Sequence, residues 1–160
     1  MESRQSFAVE DLRKAMEAEV TLLALFSQKQ KELKEVISNR KWEKLEGVVS
    51  SLREMSEIIA EAETIRHQTF SSLNISLGIP ENTIFAKATR QLPYDIQLVL
   101  NESYRKLKMT VLRVKTVSNT LGYYINNLSG TIKEFLETLF PHRKGNLYTR
   151  MGKKMVCEDD

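Results

Sequence analysis

Histidine and cysteine, the residue types that most often act as catalysts or metal ligands, are rare in this chain, which has two histidines and one cysteine. Glu63 lies four residues before His67, so both side chains would share one face of a helix. A metal site in a helical bundle needs further convergent ligands, such as Glu-x-x-His motifs on other helices, and the sequence has none. We therefore interpret His67 and His142 as surface or hydrogen-bonded histidines and predict no metal site.

Cys157 has no histidine or basic helix terminus assigned to it, so a catalytic thiolate is not expected. The sequence also lacks a glycine-rich phosphate loop and a nucleophile elbow. These observations predict that the protein is not an enzyme and holds no cofactor.

Basic residues cluster near the C-terminal end of the chain, before an acidic end. They are Arg143, Lys144, Arg150, Lys153 and Lys154, followed by Glu158, Asp159 and Asp160. We favour a solvated tail, with a nucleic-acid, anionic-lipid or acidic protein surface as alternatives. The formal net charge of +3 is too mild to predict nucleic acid as the main partner.

The composition predicts one soluble helical domain. The chain has 160 residues, 41% hydrophobic and 28% charged, with only 6 glycines and 3 prolines, too few for an all-β protein. A single cysteine cannot form an intramolecular disulfide, and no apolar run reaches the length of a signal peptide core or a membrane span. We expect a cytoplasmic protein without membrane insertion.

Two apolar stripes at helical spacing predict two long helices. The first stripe comprises Val9, Leu12, Met16, Leu23, Phe26, Leu33 and Ile37, and the second comprises Leu45, Val48, Leu52, Met55, Ile59 and Ala62. Glu19 and Gln30 interrupt the first stripe where apolar groups are expected. Extra apolar residues at Val20, Leu22, Leu25 and Val36 widen the buried face and imply a third packing surface. We predict a break between the helices within residues 38–41, with Trp42 packing at the turn.

Residues 76–93 predict a broken connector. Gly78 can take the left-handed residue after a helix, Pro80 prevents continuation, and Pro93 suits the first turn of the next helix. Residues 81–90 between them predict a short helix with Ile84, Phe85 and Ala88 as its packing residues.

Apolar residues recur at helical spacing from 94 to 140, which predicts a long third helix with weak points at Gly122 and Gly130. The predicted fold is all-α, an elongated bundle of long antiparallel helices with coiled-coil-like packing. We expect one helical domain over residues 1–140 and a flexible basic tail over 141–160.

The last helix carries more apolar side chains than one packing face requires. Tyr123, Tyr124, Ile125 and Leu128 surround more than one side of it. A helix that is apolar beyond its core side usually meets a second partner, as in helix-in-groove or coiled-coil recognition.

At these residues the chain resembles the FlgN family of flagellar export chaperones. The matching segments are TLLALFSQKQKELKEVI, KWEKLEGVVSSLREMSEII, VSNTLGYYINNLSGTIKEFLETLF and LYTRMGKK. Asn119 with its following apolar residues and the Tyr148-x-x-x-Gly152 tail are the most specific of them. The family tail often has an acidic residue after the tyrosine, where this chain has Thr149, and the connector around Pro80 is longer than expected.

The resemblance implies a chaperone that binds the C-terminal helical segment of the hook–filament junction proteins FlgK and FlgL, prevents their premature assembly and delivers them to the FlhA-like export gate protein. By the same resemblance, the client-binding residues are Asn119, Tyr123, Tyr124, Leu128, Ile132, Phe135 and Leu139. The residues implied to dock on the export gate are Leu147, Tyr148 and Gly152. The alternative is a structural or adaptor coiled-coil protein that self-associates through its third helix, and a homodimer is compatible with either reading.

Overall fold

Five α-helices make up the computed structural model, which describes residues 2–128 and 130–139, except for the side chains of residues 131, 132, 135, 136 and 139. In chain order they are α1 (Glu2–Ser38), α2 (Trp42–Ser76), α3 (Phe85–Thr89), α4 (Tyr94–Asn126) and α5 (Gly130–Leu139). No strand occurs among the described residues. The long helices pack against one another, so the prediction of an all-α bundle is confirmed.

The helices contribute to two compact units. Unit 1 consists of Met1–Thr21 and Ile59–Met109, and unit 2 consists of Leu22–Ile58 and Thr110–Asp160. Each unit contains part of α1, α2 and α4, and unit 1 also contains α3. The boundary between a helical domain at 1–140 and a separate tail stays a prediction.

The two apolar stripes supply half of the buried apolar side chains of the described residues. The most deeply buried apolar side chains of unit 1 include Leu12, Met16, Leu73, Ala88 and Leu100, and those of unit 2 include Phe26, Leu33, Leu45, Leu52 and Leu121. The widening of the α1 face is only partly right. Val36 is buried, but Leu25 is 48% exposed. The core-facing side of α1 at this point carries Leu23 and Phe26, and Leu25 lies on the other side of the helix.

Both polar interruptions of the α1 stripe are buried and paired. Arg66 Nε donates to Glu19 Oε2 at 2.5 Å within unit 1, and the Gln30 amide donates to Ser118 Oγ at 2.8 Å within unit 2. Glu19 and Gln30 are 2% and 0% exposed. Burial of a polar group is tolerated when it is hydrogen-bonded, which accounts for Glu19 and for the amide nitrogen of Gln30, while Gln30 Oε1 has no hydrogen-bond partner among the described residues.

The break between α1 and α2 lies within the predicted window and is a Schellman motif. The Lys41 N–H donates to the Val36 carbonyl at 2.9 Å, and the Arg40 N–H donates to Ile37 at 3.1 Å. Arg40 takes the left-handed conformation with φ 54°, a position that usually belongs to glycine.

A second Schellman motif ends α2 at the glycine that the sequence predicted. The Ile79 N–H donates to the Asn74 carbonyl at 3.1 Å, the Gly78 N–H donates to Ile75 at 3.0 Å, and Gly78 has φ 72°. The side-chain amide of Asn74, wholly buried, donates to the carbonyls of Glu81 and Thr83 at 2.9 and 3.2 Å. This asparagine therefore fixes the path of the connector.

The connector helix is shorter than predicted, and one of its expected packing residues faces solvent. Ile84 precedes α3 in extended backbone and is 61% exposed, because the helix begins only at Phe85. Phe85 stacks on Tyr104 with ring centroids 4.1 Å apart, and Ala88 is wholly buried. These two contacts seat α3 in unit 1.

Helix α4 does not run on to residue 140. It ends at Asn126, and α5 begins at Gly130, the second of the two predicted weak points. The Leu128 N–H bonds to the Ile125 carbonyl in a closing turn at 3.1 Å. Gly122, the other glycine, lies buried within α4.

Candidate protein-binding surface

Within unit 2, α4 has one buried and one exposed face. Val114, Ser118 and Leu121 point into the core and are each 1% exposed. The opposite face carries four exposed side chains at positions i, i+4, i+7 and i+11, which a helix places in one row. These residues, which we call the α4 stripe, are Leu112, Thr116, Asn119 and Tyr123.

The α4 stripe is apolar at both ends. Leu112 is 53% and Tyr123 73% exposed. The Thr116 hydroxyl donates to the Leu112 carbonyl at 3.0 Å, so its hydrogen-bonding need is met within the helix and its methyl group can face outward. Asn119 adds an amide that can both donate and accept. The row offers two large contact groups with one polar group that could fix a partner's orientation.

Burial of the α4 stripe against a partner would contribute favourably to the free energy of binding. Full burial of a large apolar side chain contributes about 1.5–3 kcal/mol, and Leu112 and Tyr123 still have roughly half or more of their area to bury. Together they would contribute on the order of 2–3 kcal/mol to binding, before the cost of association. A tight complex would therefore need contacts beyond the stripe.

Two other residues of the predicted client-binding set are half-buried. Tyr124 turns away from the α4 stripe, and the Lys34 ammonium of α1 lies 5.4 Å from its ring centroid. This distance fits a cation–π contact within unit 2. Leu128 is half-buried in the turn that follows α4. Of the seven predicted residues, the structure places Asn119 and Tyr123 together on one open face.

The remaining predicted residues are not described by side chain. Ile132, Phe135 and Leu139 lie in α5 at positions i, i+3 and i+7, so the backbone puts them in one row. Glu134, Glu137 and Thr138 are exposed elsewhere on the same helix. Leu147, Tyr148 and Gly152 lie outside the described residues.

Sequence reasoning missed Leu112 and Thr116 as members of this surface. The signal was present in the spacing, because each lies one heptad before a residue already singled out: Leu112 is seven before Asn119, and Thr116 is seven before Tyr123.

Of the residues first considered for catalysis, Glu63 and His67 lie in the described part of the chain, and His142 and Cys157 lie outside it. His67 Nε2 lies 3.6 Å from Glu63 Oε1, and its side chain is 63% exposed, as expected for a surface histidine. No group of three or more histidine, cysteine or acidic side chains close enough to hold a metal ion occurs in the described part of the chain. Likewise, none of the described helices is long and apolar enough to cross a membrane.

The described residues thus form an all-α bundle with an open, apolar-ended helix face, an arrangement suited to binding a helical partner. The sequence model of the FlgN protein family matches residues 1–155, and the chain therefore belongs to the FlgN family. This is a family of flagellar export chaperones, whose members bind flagellar proteins and are not known as enzymes. No curated protein and no solved structure matches the chain.

Proposed function

We propose that this protein is a cytoplasmic export chaperone that binds the C-terminal helical segment of the hook–filament junction proteins FlgK and FlgL. It keeps these clients from premature assembly and delivers them to the FlhA-like export gate protein. The family membership supports the general role, and the observation that carries the client site is the α4 stripe.

The chemistry of such clients suits the α4 stripe. A terminal helix that polymerises with its neighbours has an apolar face, and a lone subunit exposes it as an aggregation hazard. A helix laid along α4 would bury Leu112 and Tyr123 against its own i, i+3, i+4 and i+7 positions. This recognition requires no nucleotide or cofactor.

The client surface extends from the α4 stripe toward α5. Asn119 and Tyr123 are its exposed members in α4, Leu128 lies in the turn, and we assign Ile132, Phe135 and Leu139 of α5 to it as well. Tyr124 contributes its partly exposed ring. Helix α4 ends at Asn126 and α5 begins at Gly130, so the proposed client surface draws on two separate helices.

Docking on the export gate is a separate step assigned to Leu147, Tyr148 and Gly152. A tyrosine has an apolar body and a polar tip, which suits a small transient contact. A Tyr148→Ala variant should bind its client normally and fail in export. Normal export of junction proteins by this variant would remove the assignment.

Calorimetry tests the client site. A peptide from the C-terminal helix of a junction protein is titrated into the wild-type chain, a Tyr123→Glu variant and a Ser50→Glu variant. Ser50 is exposed on α2 in the same unit, so its substitution adds the same charge away from the α4 stripe. We expect Tyr123→Glu to weaken binding by at least about tenfold, or about 1.4 kcal/mol, and Ser50→Glu to leave it unchanged. Equal behaviour of the two variants would refute the site.

A structural coiled-coil protein that self-associates through its third helix is the second candidate, since the same α4 stripe would serve a second copy. The effect of Tyr123→Glu on the oligomeric state separates the two functions. Self-association through α4 would be lost in the Tyr123→Glu variant without any client present. A chaperone leaves the stripe open until the client arrives.

A further inference from the structure

The later part of α4 differs from the other long helices in the sign of its charges. From residue 103 to residue 133 the sequence has no aspartate or glutamate, and its cations there are Arg105, Lys106, Lys108, Arg113, Lys115 and Lys133. Along α1 and α2, in contrast, acidic and basic residues are interspersed, as in the Lys29–Glu32 ion pair at 2.9 Å. The part of α4 that belongs to unit 2 therefore carries positive charge only.

The two cations of this part, Arg113 and Lys115, border the α4 stripe on opposite sides. Successive residues of an α-helix are about 100° apart around its axis. Arg113 follows Leu112, and Lys115 precedes Thr116, so one lies about 100° to one side of the row and the other about 100° to the other side. Arg113 is exposed and Lys115 is half-buried. The α4 stripe is thus a row of apolar and uncharged polar groups between two positive edges.

Neither cation is neutralised within the described part of the chain. No ion pair joins Arg113 or Lys115 to a carboxylate there, whereas Arg13, Arg66 and Arg105 each contact one. A partner that covers the α4 stripe therefore meets two uncompensated positive charges at its margins.

We propose that the client segment that binds the α4 stripe is an amphipathic helix whose apolar face is bordered by acidic side chains, and that Arg113 and Lys115 select it by charge. The proposal rests on the proposed function, in which a client helix covers the stripe. It adds the chemical class of that helix and the two residues that determine it. Like charges brought together at an interface disfavour the wrong partner, so a client helix with basic borders is rejected.

The geometry of helix packing places such acidic groups correctly. Two helices in contact have axes about 8–10 Å apart, and the residues that flank the contact row of one helix face the flanking residues of the other. Acidic side chains beside the apolar row of the client would therefore reach Arg113 and Lys115 at the rim of the interface. Rim charges stay hydrated and are screened by salt, so they act mainly on the rate of association and on the choice of partner. Leu112 and Tyr123 supply the burial that holds the complex together.

A nucleic acid or an anionic membrane is the other class of partner that two cations could meet. Nucleic-acid binding requires a continuous basic face, and here an uncharged row separates the cations. A helix that lies in a membrane interface has a broad apolar face, and here Thr116 and Asn119 occupy the middle of the row. An uncharged centre with charged edges is the pattern by which two helices recognise each other.

Stopped-flow kinetics of the full chain test the charge selection, with a fluorescently labelled peptide from the C-terminal helix of a junction protein as the probe. The Arg113→Glu/Lys115→Glu variant is compared with a Lys41→Glu/Lys44→Glu control, whose exposed cations lie at the turn between α1 and α2. Both variants change the formal net charge from +3 to −1, since each reversal lowers it by two. At low ionic strength we expect the first variant to associate at least about tenfold more slowly than the wild type and the control to stay within about threefold. High salt should bring the three association rates together.

A charge swap on the peptide provides the second arm. Two versions of the peptide keep the same apolar positions and carry either glutamate or lysine at the positions that border them. The wild-type chain should bind the glutamate version at least about tenfold more tightly, and the Arg113→Glu/Lys115→Glu variant should prefer the lysine version. A variant that had merely lost its fold would bind neither peptide, so a reversed preference reports on charge alone.

The Tyr123→Glu variant, measured alongside, separates failure of this proposal from failure of the proposed function. Equal binding of the two peptides by the wild type, or equal rates for the two double variants, would overturn the charge selection. If Tyr123→Glu still weakens binding in that case, the client site stands without it. If Tyr123→Glu has no effect either, the client site is itself wrong. Binding of DNA or anionic lipid vesicles that is lost in Arg113→Glu/Lys115→Glu, together with no preference between the peptides, would assign the cations to a polyanion and equally overturn the proposal.

Discussion

Glu19 and Gln30 interrupt the apolar stripe of α1 and are nevertheless among the most buried residues of the chain. Each has one long-range partner: Arg66 for Glu19 and Ser118 for Gln30. Spacing along α1 identified both as anomalies, but it could not identify the partners, which lie 47 and 88 residues away in sequence. Pairing of this kind depends on helix register, which a single sequence pattern does not define.

The Glu19–Arg66 pair predicts an asymmetric response to substitution. The Glu19 side chain is 3% exposed and that of Arg66 is 18% exposed. Arg66→Leu leaves a carboxylate buried without a partner, which should cost about 3 kcal/mol. Glu19→Leu leaves an arginine that can still reach water along its flexible stem, so the cost should be smaller.

Urea denaturation followed by circular dichroism measures both costs. The double variant, Glu19→Leu with Arg66→Leu, should be more stable than Arg66→Leu alone, since no buried charge remains. Equal losses in the two single variants would contradict the assigned burial.

The two left-handed residues at the ends of α1 and α2 make a second prediction at this scale. Arg40→Gly removes the steric cost of a side chain at φ 54° and should stabilise the chain by about 0.5–1 kcal/mol. Gly78→Ala introduces that cost at φ 72°, where no atom lies within 4 Å of the new Cβ, and should destabilise it by about 1 kcal/mol. Denaturation midpoints of the two variants should therefore shift in opposite directions.

The end of α2 could be predicted from the sequence more closely than the end of α1. Gly78 followed by Pro80 predicted the end of α2 correctly, because glycine and proline have a conformational reason to be there. The Arg40 turn has no such residue, so only a window could be predicted. Ile84 was misassigned because its apolar side chain carries no mark of the residue that precedes a helix.

At the scale of elements, α4 is a helix with two different tasks. Its core face is held by Val114, Ser118 and Leu121, and its outer face is open. Substituting the two faces should therefore have different consequences. Leu112→Glu should leave the free energy of unfolding nearly unchanged while it weakens client binding, because Leu112 is 53% exposed.

Leu121→Ala, on the core face of α4, should lower the stability instead. Leu121 is 1% exposed, and removal of its side chain should cost about 2–5 kcal/mol of stability. Thermal or chemical denaturation alongside calorimetry separates the two effects. A large loss of stability in Leu112→Glu would mean that the stripe is part of the core.

Substitutions in the α4–α5 region and deletion of the residues after α5 should affect client binding differently. Deletion of residues 141–160 should spare client binding, while Leu128→Asp or Phe135→Asp should abolish it, because the proposed client surface ends with α5. Binding and export assays on the three variants check this division. If the deletion and the substitutions reduce client binding alike, the division is wrong.

Much of the element order could be predicted from the periodicity of apolar residues. The stripes, the break near residue 40 and the connector all follow from apolar spacing, glycine and proline. The stop at Asn126 did not, since apolar residues keep their helical spacing through the turn, and only Gly130 indicated a weak point. The outer face of α4 was recognised at Tyr123, whereas Leu112 and Thr116 were not singled out.

At the scale of the whole molecule, the described residues include two open surfaces that share no residue. One is a groove of unit 1 between the first turns of α1 and the last turns of α2, and the other is the α4 stripe of unit 2. The family assigns a chaperone role to the chain and leaves the partner of each surface to experiment.

Site-specific crosslinking tests the central claim, client binding on the α4 stripe, most directly. A photoreactive phenylalanine derivative is placed at Tyr123, and separately at Ile65, which is 53% exposed on α2. The complex with a full-length junction protein is then irradiated, and the crosslinked client peptide is identified by mass spectrometry. We predict a crosslink from position 123 to the C-terminal helix of the client and none from position 65. A complex that forms without a crosslink at 123, or with equal crosslinks from both positions, would contradict the account.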